Sequence, residues 1–194
     1  MKFLKNAFFT TLFLILLVVP LSASASSTPP TAVPNPTYPG TNIEMKVGDV
    51  LYSTKTLGSS SKIVGHVGIV GSDFRVYHVT PATDGGVADS IDSYMSRHGS
   101  GETIEIYKYR YAGAANAAMW AKQNYSKVYN YYISLDRLSV MNPNYCSKFI
   151  WQAFYYGAGK DVMNKNLTDS TYGIIYPIGF TYSGFSLYDS FKVK

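Results

Sequence analysis

The clearest alternation of apolar and polar positions is Thr103-Ile104-Glu105-Ile106-Tyr107-Lys108-Tyr109, which predicts a strand with one buried face. Lys62 to Val70 is β-branched and free of proline, and it predicts a second strand. Gly71-Ser72-Asp73 reads as a turn into a strand over Phe74 to Val79, so these two strands form a hairpin. Val47 to Tyr52 predicts a turn leading into a strand, and Ser186 to Val193 a last one. Helical spacing takes over in Ala112 to Asn124, with Ala115, Met119 and Trp120 turned inward. It recurs from Cys146 to Gly157, where Ile150, Ala153, Phe154 and Gly157 make the apolar stripe and Ser147, Lys148 and Gln152 lie off it. Val87 to Met95 predicts a short helix, Tyr125 to Tyr132 a strand or loop, and Thr171 to Ser183 an irregular connection. Strands, then helices, then a strand predict an α+β domain, with an antiparallel sheet packed against the cysteine-bearing helix.

The ends of the chain change this picture. Residues 1–25 carry Lys2 and Lys5, an apolar run from Ala7 to Pro20, and a small-residue cleavage site at Ala23-Ser24-Ala25. That is the pattern of a secretory signal peptide, with a retained N-terminal anchor as the alternative. The apolar run is shorter than the roughly 17–25 residues of a spanning helix, and no second stretch is long enough, so stable membrane insertion is not expected. Residues 26–44 are rich in Ser, Thr and Pro and read as a linker, which leaves 45–194 as the catalytic domain. The formal charge is +5, falling to about +3 without Lys2 and Lys5, and the basic residues are scattered. Nothing in that distribution favours nucleic acid. A monomer, secreted or associated with a bacterial cell envelope, is expected.

The chain contains a single cysteine, Cys146, so no internal disulfide can form. The thiol is buried, paired to another chain, or kept for its reactivity. Asn142, with Pro143 at the first helical position, or Asn144 can cap the helix that follows. Cys146 then sits in the first turn, where free N–H groups and the helix dipole favour a thiolate. His66 and His78 fall on adjacent predicted strands with the same parity. If Gly71-Ser72-Asp73 is a three-residue loop, the two histidines are directly opposed. Gly65 and Gly68 leave room for another backbone, and the Cys146 helix is the natural visitor. The chemistry then assigns Cys146 as nucleophile, His66 as its base, His78 as the group that fixes the His66 tautomer, and the Cys146 backbone N–H as an oxyanion donor. Tyr145 adjoins the nucleophile as a substrate-binding candidate. Plainer readings stand beside this one: a polar histidine pair at a sheet surface, a core cysteine, or a zinc site from His66, His78 and Cys146 that lacks the usual ligand spacing. His98 lies in a polar loop and is expected to be solvated. No cofactor and no metal is assigned.

Gly48-Asp49-Val50-Leu51, Gly65-His66-Val67-Gly68-Ile69-Val70, the strand ending at His78 and Tyr145-Cys146-Ser147-Lys148-Phe149-Ile150 together resemble the circularly permuted NlpC/P60 papain-like family. The similarity is to its YiiX/YycO-like branch and to the lecithin retinol acyltransferase group, in which the histidine strand precedes the cysteine helix. The resemblance covers about Lys46 to Tyr156. It implies a permuted papain-like fold, Cys146 as nucleophile, His66 as base and His78 in the third position. Many YiiX/YycO-like members carry glutamate there, whereas the acyltransferase group carries histidine. The implied activity is a cysteine amidase or peptidase acting on cell-wall peptide or a related amide through an acyl-enzyme. The alternatives are a lipid acyltransferase or amidase with the same triad, and a non-catalytic envelope-binding domain.

Overall fold

A computed structural model describes residues 34–55, 57 and 65–194. The expected signal peptide, the first part of the expected linker and Lys62 to Val64 of the second predicted strand lie outside the described residues. Six strands form one antiparallel sheet: β1 (Val50–Ser53), β2 (His66–Val70), β3 (Val76–Thr80), β4 (Gly85–Asp89), β5 (Thr103–Tyr109) and β6 (Phe185–Lys192), in the order β4-β3-β2-β1-β5-β6. Three α-helices cover it: α1 (Ile91–His98), α2 (Ala114–Asn124) and α3 (Cys146–Ala158).

Alternation along the strands divides the core in two. Val50, Val67, Ile69, Tyr77 and Val79 pack with Ala117 and Ala121 of α2 and with Phe149, Ala153 and Phe154 of α3. Leu51, Val70, Val76, Ile104 and Ile106 face the other way, onto Tyr94 and Met95 of α1 and onto Tyr38 and Met45. The strands predicted from alternation are present, and so are the two long helices.

Five expectations need correction. α2 turns Ala117, Ala118 and Ala121 inward rather than Ala115 and Met119, which are exposed, Met119 at 55%. The helix expected over Val87 to Met95 is a strand followed by a helix. Val87 to Asp89 pair with His78 to Val76, extending the sheet by one edge, and the Ser90 side chain then accepts from Ser93 N–H to start α1. Gly86 permits this edge, because a Cβ there would lie 2.0 Å from the Tyr125 carbonyl oxygen. The folded body also begins before Met45. Tyr38 is fully buried, stacks on Phe191 at 5.0 Å and donates its hydroxyl to Asp49 Oδ2 at 2.9 Å. Residues 34–44 are therefore part of the fold rather than linker. The β2–β3 hairpin pairs Val70 with Val76, so its loop is Gly71 to Arg75 rather than three residues. The two registers differ by two positions, which leaves every side chain on its expected face. Finally, α3 is buried on all sides of its first turns. Ser147, Lys148 and Gln152, expected off the stripe, are as enclosed as Phe149.

Candidate active site

The site is built where three strands and two helices meet. His66 opens β2, His78 lies in the middle of β3, and Asp89 closes β4. His66 Nε2 is 2.8 Å from His78 Nδ1, and His78 Nε2 is 2.9 Å from Asp89 Oδ2. Arg97 of α1 grips both oxygens of Asp89, with Nη2 to Oδ1 at 3.0 Å. The histidines are not directly opposed, as the three-residue loop would require. The observed register places His78 across from Gly68, and the two rings meet edge to face with centroids 4.9 Å apart. Gly68 makes room for this contact. A Cβ there would lie 3.3 Å from His78 Cβ and 3.2 Å from Tyr94 Cε2, so the visitor that the glycine admits is α1, not α3.

The charges fix the protons. Hydrogen bonds from His78 and Arg97 hold the Asp89 carboxyl well below the usual carboxylate range, against the opposing effect of burial, so it accepts only. His78 must then carry its proton on Nε2. Burial lowers the His78 pKa, so its ring is neutral and its Nδ1 is an acceptor. His66 donates to that Nδ1 from Nε2. Burial, reinforced by His78 and His98, also keeps His66 neutral, which leaves its Nδ1 as a bare lone pair. That is the protonation state of a general base.

Cys146 approaches from the opposite face. It is the first residue of α3 and 1% exposed. Val70 N–H and C=O bond to Asp49 and Gly48 on the β1 side, so the odd-numbered residues of β2 turn their N–H groups toward β3. The β2–β3 pairing stops at Ile69–Tyr77, and the Val67 N–H lies close enough to the Cys146 sulfur to favour its ionised form. The thiol therefore lies near the residue that follows His66, with Ser147 Oγ at 4.0 Å. Cys146 packs on the α3 side of β2, while the His66 ring lies with Tyr94 and His98 on the α1 side.

The expected depression of the thiol pKa is overturned. Burial pushes it up to about 11, because desolvation outweighs the hydrogen bonds from Val67, Ser147 and the helix N-terminus. Neither asparagine caps α3. Tyr145 holds the cap position without a side-chain bond, and Asn144 instead bonds Gln152 Oε1 at 2.8 Å and the Tyr145 N–H. Tyr145 is fully buried and its hydroxyl oxygen accepts from Ile175 N–H at 3.1 Å, so it braces the lead-in to α3 and is not open to a substrate. His98, expected in solvent, is fully buried. Its Nδ1 lies 2.8 Å from the Tyr94 carbonyl, and its ring is 5.6 Å from that of His66. Sequence reasoning missed Asp89 because the segment that carries it was read as helix; a strand reading would have placed its carboxylate on the His78 side. Among the described residues, no group of three or more His, Cys, Asp or Glu side chains is placed to hold a metal ion, and no helix is long and apolar enough to cross a membrane.

This architecture is shared with known proteins. It is similar to a crystal structure described as the metalloprotein yiiX from Escherichia coli O157:H7, DUF1105, with a TM-score of 0.52 and 12% identity, covering 74% of this chain and 96% of that one. The likeness establishes a YiiX-like fold. The chain belongs to the family described as lipoprotein N-acylation protein LnsA-like, whose profile matches residues 8–193. An uncharacterized 30.3 kDa protein of Bacillus thuringiensis is 31% identical over an alignment of 160 residues that covers 77% of this chain. The chain spans 57% of the length of that relative.

Proposed function

We propose that the protein is an exported thiol acyltransferase, which forms an acyl thioester on Cys146 and passes the acyl group to an amine. The observation that carries this reading is a buried thiol at the N-terminus of α3, close to Val67, the neighbour of a histidine whose tautomer is fixed by His78 and Asp89. The family description, lipoprotein N-acylation, supports the transfer alternative over the cell-wall peptidase expectation. In the first half-reaction the sulfur adds to the acyl carbonyl while its proton passes to His66 Nδ1. The Cys146 backbone N–H, in the first turn of α3, donates to the developing oxyanion. His66 returns the proton to the departing oxygen or nitrogen, and the thioester remains. In the second half-reaction an amine adds to the thioester, loses a proton to His66 and expels the thiol, giving an amide. With both thiol and base neutral at rest, proton transfer accompanies attack rather than preceding it.

Water as the acceptor would make the same chemistry a hydrolysis. Incubation of the protein with an acyl-ester donor, followed by intact mass spectrometry, tests the reading. A hydroxylamine-labile adduct of one acyl group on Cys146 is expected, absent from Cys146→Ala and transferred to a lipopeptide amine on its addition. An adduct that appears equally in Cys146→Ala rules the proposal out.

A further inference from the structure

A cavity of about 210 Å³ lies beside the N-terminal end of α3. Leu138, Met163, Leu167, Ile174 and Ile175 supply the aliphatic and thioether part of its wall, with Thr171 and Tyr182 beside them, and among the described residues the only charged side chain lining it is Lys165. Tyr172 and Tyr176, 65% and 52% exposed, stand among the lining residues at the surface. Ile175 joins this cavity to the reaction centre. Its carbonyl accepts from Ser147 Oγ at 2.7 Å and its N–H donates to Tyr145 Oη at 3.1 Å, so both chain neighbours of Cys146 hold it in place.

We propose that the cavity is the subsite for the aliphatic tail of the acyl group, and that it sets the chain length the protein accepts. This rests on the acyl-transfer reading above. The aliphatic and thioether part of the wall rewards burial of methylene groups, while Thr171 and the tyrosines add polar atoms to the lining. A group the size of a water occupies roughly 30 Å³, so the space suits an alkyl segment of about seven methylenes. Met163 is the adjustable part of the wall. It is unbranched, and its sulfur lies 2.5 Å from where a Gly179 Cβ would stand, so it fills space left by the missing side chain. Lys165 supplies a cation for the polar end of the donor.

Leu167→Trp and Ile174→Trp fill the cavity from half-buried positions, where an added ring can be accommodated by the fold. In the full chain carrying Cys146→Ser, the fluorescent fatty acid cis-parinaric acid is expected to bind, and to be displaced better by dodecanoate than by butyrate. Either tryptophan is expected to weaken that binding about tenfold or more, given that one methylene in a hydrophobic pocket is worth roughly that factor. In the active protein the same substitutions shift the preferred donor toward shorter chains, lowering the dodecanoyl rate more than the butyryl rate. Unchanged parinarate affinity in both folded variants, or an unchanged chain-length profile, overturns the subsite even if the thioester forms. Loss of parinarate binding in the variants without any thioester in the wild type would instead overturn the transfer reading and keep the cavity as a fatty-chain site. Tighter displacement by an aromatic tripeptide than by dodecanoate would make it a peptide site and overturn the proposal. If one tryptophan variant fails to fold, the other carries the test.

Discussion

His66 donates from Nε2 to His78 Nδ1 across 2.8 Å, and the direction of that bond is decided by a residue His66 does not touch. Asp89 accepts a hydrogen bond from His78 Nε2–H at 2.9 Å, so His78 Nδ1 can only accept from His66. The lone pair on His66 Nδ1 is the far end of a relay anchored by Arg97.

Asp89→Ala removes the anchor. His78 is then free to place its proton on Nδ1, which forces the His66 proton onto the nitrogen needed as base. The rate of thioester formation is expected to fall by about 10²–10⁴-fold, the usual contribution of a positioned base, while the circular dichroism spectrum persists. Added formate, which supplies a carboxylate in the vacated space, is expected to restore part of the rate. A variant that retains full speed would show that Asp89 sets no tautomer.

Much of this relay was legible in the chain. His66, His78 and Cys146 are visible as residue types at defined positions, and strand parity is enough to put the two histidines on one face. A register error of two positions does no harm to that inference. The rest depends on long-range packing. Cys146 packs on the α3 side of the sheet and His66 on the α1 side, and the β2–β3 ladder beside them stops at Ile69. No periodicity encodes such a gap. Burial of His98 and of Ser147, Lys148 and Gln152 was missed for a related reason. Each is polar and satisfied, wholly or in part, by a partner distant in the fold or by backbone, as with Ser147 and the Ile175 carbonyl.

The thiol titration separates this site from one with a preformed ion pair. Burial raises Cys146 to about 11 from an ordinary 9.0, so the thiol stays protonated in the resting protein at neutral pH. Alkylation by iodoacetamide is expected to be slow at neutral pH and to rise through pH 9 to 11. Thioester formation with a bound donor proceeds near neutrality, where His66 is the base. Folding stability follows the same shift: the unfolded thiol ionises first, so stability is lost as pH rises from about 9 toward 11. An alkylation rate that reaches its plateau by pH 7 would mean that a thiolate–imidazolium pair exists before substrate arrives.

Gly68→Ala probes the wall behind the histidines. The new Cβ would stand 2.7 Å from Val76 Cγ1 and 3.2 Å from Tyr94 Cε2. Overpacking of this kind costs about 1–3 kcal/mol, and here the relief must come from the strands and helix that hold His78. Both the midpoint of urea unfolding and the rate of thioester formation are expected to fall. A loss of stability with an unchanged rate would show that the relay tolerates movement of α1.

Acid should destabilise the protein through the three histidines. His66, His78 and His98 all have pKa values lowered by burial, His98 to about 4 from 6.5. The unfolded chain therefore binds protons below pH 6.5 that the folded chain refuses, and stability present above that pH is lost as pH falls toward the folded values. Each such proton contributes about 1.4 kcal/mol per pH unit over the interval. His98 is the cleanest probe. Its Nε2 is buried without a hydrogen-bond partner, and the charges around it are His78, Lys55 and Glu102, with only Glu102 favouring its protonation. His98→Phe keeps a ring against Tyr94 and His66 and removes one titrating group. Urea unfolding of wild type and variant at pH 7 and pH 5 measures the difference. The pH dependence is expected to be shallower in the variant by about one proton, and identical slopes would place the acid sensitivity elsewhere.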